Sequence, residues 1–181
     1  MYSVVRLVNN TDLTTRDALR RIISEAKRAW IIAACITADG WQPIEAALKE
    51  AALSPQHVWV ITNIANGTTD PSVLAQCLER GYWTYVYNGE TPPFNANVYI
   101  GEATNGWADV LITSSQLTAS GVEGGLEIGL WLTLPPGHPL VSKLMETLRV
   151  WLTRREMHVL SRELLAAYHT RFAPVGARDS A

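Results

Sequence analysis

A chain of 181 residues, 48 % of them hydrophobic, has the size of one ordinary domain and enough apolar side chains for a contiguous core, which excludes a disordered polymer. Its net charge of -2 and sequence pI near 6.1 give no overall attraction to a phosphate backbone, so any nucleic-acid contact needs a local patch. The longest apolar runs, Trp30 to Ile36 and Leu126 to Leu134, fall far short of the roughly 20 residues of a membrane span, and no secretion signal is readable, so no membrane contact and a cytoplasmic address are expected.

In chain order, Thr14-x-x-Asp17 is close to a capping box, and Leu19, Ile22, Ile23 and Ala26 recur at helical spacing, which predicts an amphipathic helix over 14–29 with Arg20, Arg21, Lys27 and Arg28 toward solvent. The run from Trp30 to Ile36 is apolar without alternation, as expected of a strand covered on both faces. Pro43 suits the first position of a helix over about 42–53. His57 to Ile64 predicts the next strand. Asp70-Pro71 is a strong helix start, Gly81 a strong stop, and Tyr82 to Tyr87 a third buried strand.

Strand, helix, strand, helix, strand at this spacing implies right-handed crossovers and parallel pairing, hence an α/β fold with helices on both faces of the sheet. After Pro92-Pro93 three strand-like runs follow without a helix, at 94–101, 108–114 and 124–134, so the sheet is expected to be mixed. Asn105-Gly106 favours a tight hairpin between the first two. From Pro135-Pro136-Gly137 to about Phe172 the pattern reads as helical, with Thr153-x-x-Glu156 as a second capping box dividing it. Nothing marks a linker or repeat, so one domain is predicted over 1–172, with a disordered tail at 173–181. Cys35 and Cys77 lie in apolar segments without metal-ligand spacing, which predicts reduced core thiols, no metal and no cofactor.

Three segments in order carry a resemblance: Phe94-Asn95-Ala96-Asn97-Val98-Tyr99-Ile100, Ile112-Thr113-Ser114-Ser115-Gln116-Leu117-Thr118, and Gly121-Val122-Glu123-Gly124-Gly125-Leu126-Glu127-Ile128. Together they resemble the single-motif nucleases of the phospholipase D-like superfamily, whose corresponding segments run F-H-A-K-x-Y-I, G-S-S-N-L-T and G-L-x-x-N-x-E. The resemblance implies a mixed sheet flanked by helices and a metal-free phosphodiesterase site built where two such strands meet across a homodimer axis. In that family one His attacks phosphorus and the other protonates the leaving oxygen.

Here the His position is Asn95 and the Lys position Asn97. A carboxamide is neutral, a poor nucleophile, and no proton shuttle near pH 7. The third phosphate-binding position, normally Asn, is Gln116, while Glu127, Ser114 and Ser115 match the acidic and hydroxyl positions. The expectation is a catalytically inactive domain that binds DNA or RNA, or scaffolds a larger prokaryotic DNA-processing or defence assembly. Asn95, Asn97, Ser114, Ser115, Gln116, Arg154 and Arg155 are the candidate phosphate contacts, and the arginines Arg149, Arg154, Arg155, Arg162 and Arg171 are placed on C-terminal helices. The competing readings are an active nuclease, with a rebuilt pocket or with Asn95 and Asn97 introduced into an active parent, and a purely structural protein. A homodimer through residues 94–134 is expected, with Trp107 and Trp131 as interface aromatics.

Overall fold

The apolar run beginning at Trp30 forms the middle of a mixed sheet. The computed structural model describes residues 3–65 and 67–172, so the predicted tail at 173–181 lies outside the described residues. In chain order the elements are β1 (Val4–Val8), α1 (Thr15–Ser24), β2 (Arg28–Ala33), α2 (Ala38–Glu50), β3 (Val58–Asn63), α3 (Pro71–Arg80), β4 (Trp83–Tyr87), β5 (Asn97–Glu102), β6 (Ala108–Thr113), β7 (Gly129–Leu134), α4 (Pro139–Leu152), β8 (Met157–Val159) and α5 (Arg162–His169). The strands join one sheet in the order β1-β7-β6-β5-β2-β3-β4-β8. Among the described strands the neighbours β2–β3 and β3–β4 pair in parallel and the other neighbours antiparallel.

Both faces of β2 are covered, which is why its sequence does not alternate. Ile31 and Ala33 pack with Leu19, Ile22, Ile44 and Leu48 of α1 and α2. Trp30 and Ile32 turn to the other side, where α4 supplies Leu144, Leu148 and Trp151. Close approach is written into two glycines: a Cβ on Gly101 of β5 would lie 2.5 Å from the Ile22 carbonyl oxygen, and one on Gly40 of α2 would lie 2.1 Å from that of Leu117.

Several local signals act as expected. Thr14 accepts the Asp17 N–H at 3.0 Å, Asp70 accepts the Ser72 N–H at 2.8 Å ahead of Pro71, and Gly81 ends α3 with φ +74°. The hairpin between β5 and β6 turns at Gly106, φ +80°.

Others are corrected. Helix α1 stops at Ser24, because the Lys27 N–H is already bonded to the Glu102 carbonyl at 2.7 Å and β2 begins at Arg28. Helix α2 begins at Ala38, capped by Thr37, and Pro43 lies inside it. The stretch after Gly137 is not helical throughout: Thr153 ends α4, Ser161 caps α5, and β8 pairs with β4 between them. Arg154 and Arg155 therefore lie in a turn, not on a helix. Strand β1, unread in the sequence, adds an edge beside β7. Trp131 is not an interface aromatic: it is buried, its Nε1–H donates to Asp109 at 2.8 Å, and the Arg6 guanidinium lies 4.6 Å over its ring.

Candidate functional site

The register of the sheet gathers the predicted residues along one edge. Ala33 at the end of β2 lies opposite Asn97 at the start of β5, and Thr113 at the end of β6 lies opposite Gly129 at the start of β7. That edge carries the C-terminal ends of the parallel strands, where α/β sheets commonly place their ligands.

Asn97, Ser114 and Glu127 form a continuous polar chain there. The Asn97 side-chain carbonyl accepts the Ala34 N–H at 3.1 Å, and its amide donates to the Ser114 carbonyl at 3.3 Å. The Ser114 hydroxyl donates to the Glu127 carboxylate and accepts the Ile128 N–H at 3.1 Å. Beneath them Tyr99 is fully buried and donates to the Ser115 carbonyl at 3.2 Å. Burial, with the Glu127 charge adding to it, raises the Tyr99 phenol far above its usual range, so it remains a neutral donor.

The other candidates separate. Ser115 is buried, with its hydroxyl against Thr15 at 2.8 Å and receiving that of Thr113 at 3.1 Å. It belongs to the scaffold under α1 and offers nothing to a phosphate. Gln116 is exposed next to it. Asn95 is exposed and opens onto a cleft of about 360 Å³ shared with Arg154, Phe94 and Trp151. Arg155 does not line that cleft; its side chain is 93 % exposed and pairs with Glu156 at 2.9 Å. The two arginines beside Glu156 hold its carboxyl below the usual range.

None of the four histidines lines the cleft beside Asn95 or bonds to the chain of Asn97, Ser114 and Glu127. His57 precedes β3 and His138 caps α4, both at the opposite edge of the sheet, His158 lies on the edge strand β8, and His169 ends α5. Nor does any cluster of three or more His, Cys, Asp or Glu side chains able to hold a metal occur there. Cys77, on the buried side of α3, belongs to the core shared with α2, and burial pushes its thiol up to about 12.

No protein-family model and no curated protein sequence matches the chain. Solved structures do. Nuc from Salmonella typhimurium, a phospholipase D family member, superposes with TM-score 0.64 at 16 % identity, covering 88 % of this chain and 99 % of that one. The chain has the phospholipase D-like fold. NucT from Helicobacter pylori gives 0.63 at 16 % identity over 88 % of this chain and 100 % of that one. A phosphatidylserine synthase from Haemophilus influenzae gives 0.62 at 10 % identity, and the chain spans 44 % of its length.

Within this phospholipase D-like fold, several residues that build the edge carry no local signal. Asn10, at φ +56°, accepts the Thr15 N–H at 2.7 Å and donates to the Gly121 carbonyl at 2.9 Å, tying the β1–α1 turn to the loop before Glu127. Ala34, Thr15 and Trp151 likewise enter through contacts distant in sequence. Chemically, the carboxamides of Asn95 and Asn97 can hydrogen-bond a phosphate oxygen, but neither supplies a nucleophile, a transferable proton or a positive charge.

Proposed function

We propose that this phospholipase D-like domain has no phosphodiesterase activity and serves as a nucleic-acid-binding, dimeric subunit of a prokaryotic DNA-processing or defence assembly. One observation carries the reading: at the two positions where the resembling nucleases have His and Lys, Asn95 stands exposed and Asn97 is committed to the Ala34 N–H and the Ser114 carbonyl. A lysine could not accept the first of those bonds. The position has been absorbed into the scaffold.

An apolar strip beside the site supports the dimer. Leu7, Leu130 and Ile112 are consecutive cross-strand neighbours, exposed on the face that α4 covers only in part, and Leu126 and Ile128 are exposed just ahead of β7. Helix α4 starts after β7 at the far edge and, in its last turn, sets Trp151 beside Phe94, so it slants away from this corner. A second copy would cover the strip.

Incubation with single- and double-stranded DNA, RNA and a bis-aryl phosphodiester, with and without divalent ions, is expected to give no protein-dependent turnover. A gel shift that weakens as salt rises is expected with at least one of the nucleic acids. Turnover abolished by Asn95→Ala or Glu127→Gln would overturn the reading.

A further inference from the structure

The cleft beside Asn95 has a composition unlike the rest of that edge. Tyr87, Phe94 and Met157 are buried and make its floor. Phe94 is held between Tyr87, stacked at 5.7 Å, and Trp151, edge-on at 5.8 Å, while the Tyr87 hydroxyl is used up on the Pro92 carbonyl at 2.6 Å. Two polar side chains are among its lining residues, Asn95 and Arg154, the latter only loosely paired with Glu156 at 3.4 Å. Arg154 is the one charged side chain among the lining residues, and Arg155, outside the cleft, takes the closer pairing with Glu156 at 2.9 Å.

This pattern discriminates between occupants. A flexible acyl chain needs no hydrogen-bonding rim, and a basic peptide would meet the Arg154 guanidinium. A planar heterocycle with an attached anion uses everything present: an apolar, aromatic-rich lining for its body, a carboxamide with both a donor and an acceptor for its edge, and a guanidinium for a phosphate oxygen. About 360 Å³ exceeds what one base needs and accommodates a nucleoside.

We propose that the cleft receives one unpaired base of a single-stranded nucleic acid, with the adjoining phosphate held by Arg154 at the Asn95 edge. The inference rests on the nucleic-acid-binding reading above and deepens it: the strand is gripped by a base taken out of the stack, so single strands are preferred to duplexes. Because most of the lining is apolar and only Asn95 and Arg154 are polar, base identity has little influence.

Fluorescence anisotropy at low salt, using a labelled oligothymidylate of about ten nucleotides and an abasic strand of the same length and charge, tests this on the unaltered protein. The abasic strand is expected to bind roughly tenfold more weakly, within the range of one base–aromatic stack. Arg154→Ala, at an exposed turn, is expected to weaken oligothymidylate binding about fivefold or more, whereas Arg20→Ala on α1, on the opposite side of the sheet, leaves it unchanged. Equal binding of the two strands, or an Arg154→Ala variant that binds as the parent does, overturns the cleft assignment while leaving the nucleic-acid reading intact. If neither strand binds, both fall together.

Discussion

The side-chain carbonyl of Asn97 takes the backbone N–H of Ala34, a 3.1 Å bond between the start of β5 and the end of β2. Ala34 is buried, and an orphaned buried N–H costs about 1–3 kcal/mol. Asn97→Lys and Asn97→Ala are therefore expected to lose about 1–2 kcal/mol in urea denaturation with an unchanged m-value. Asn95→His, on an exposed side chain with no such bond, is expected to stay within about 0.5 kcal/mol of the parent. Equal stability of all three variants would show that the Asn97 bond is incidental.

Gly40 is the tightest point between α2 and the segment that carries Gln116. A methyl group there would overlap the Leu117 carbonyl oxygen, whose bond from the Thr37 N–H at 2.9 Å anchors the start of the helix. Gly40→Ala improves helix propensity yet is expected to destabilise by at least about 1–3 kcal/mol through overpacking. That corresponds to a melting temperature lower by roughly 2–12 °C for a chain of this size, which scanning calorimetry would read directly.

Cys77 is expected to be silent toward iodoacetamide at pH 8 in the folded protein and to react once the chain is unfolded, because the thiolate is the nucleophile. The same displacement couples to stability. The folded thiol, at about 12, lies above its ordinary value of 9.0, so the unfolded chain loses its proton first as pH rises. Its stabilising contribution is complete below about 9 and declines from there toward 12. Denaturation midpoints that rise between pH 9 and 11 would contradict this assignment.

Light scattering at micromolar concentration is expected to give about twice the 20.0 kDa chain mass. Leu126→Glu, at a fully exposed side chain, and Leu130→Glu, at an exposed position of β7, are each expected to yield a monomer with unchanged circular dichroism. A monomeric parent protein would mean that the strip beside the site is covered by something other than a second copy.

What the sequence made legible depended on how local each signal is. Asp70-Pro71, Gly81 and Gly106 act within a turn of chain, and their positions came through unchanged. Pro43 misled because a helix start is decided by the cap. Thr37 supplies it by accepting the Gly40 N–H, and the proline is carried in the second turn. Strands β1 and β8 were hidden for the opposite reason: as sheet edges they are half-solvated, short or polar, and only their pairing with β7 and β4 defines them. At the site, the positions of Asn95, Asn97 and Glu127 could be read from three ordered segments. The engagement of Asn97 by Ala34, the withdrawal of Ser115 beneath Thr15 and the aromatic floor beside Asn95 arise from contacts between segments far apart in the chain, which no local pattern encodes.

Strand β1 is made early and secured late. Its partner in the sheet, β7, lies at Gly129–Leu134, and the Asn10 side chain that locks the following turn needs the carbonyl of Gly121. During synthesis at roughly 5–20 residues per second, the segment therefore waits on the order of ten seconds for both attachments. Through that interval Val4, Val5 and Leu7 form an unpaired apolar edge that any nascent strand could capture. Pairing of β1 in the sheet thus follows, and cannot precede, the synthesis of residues 129–134.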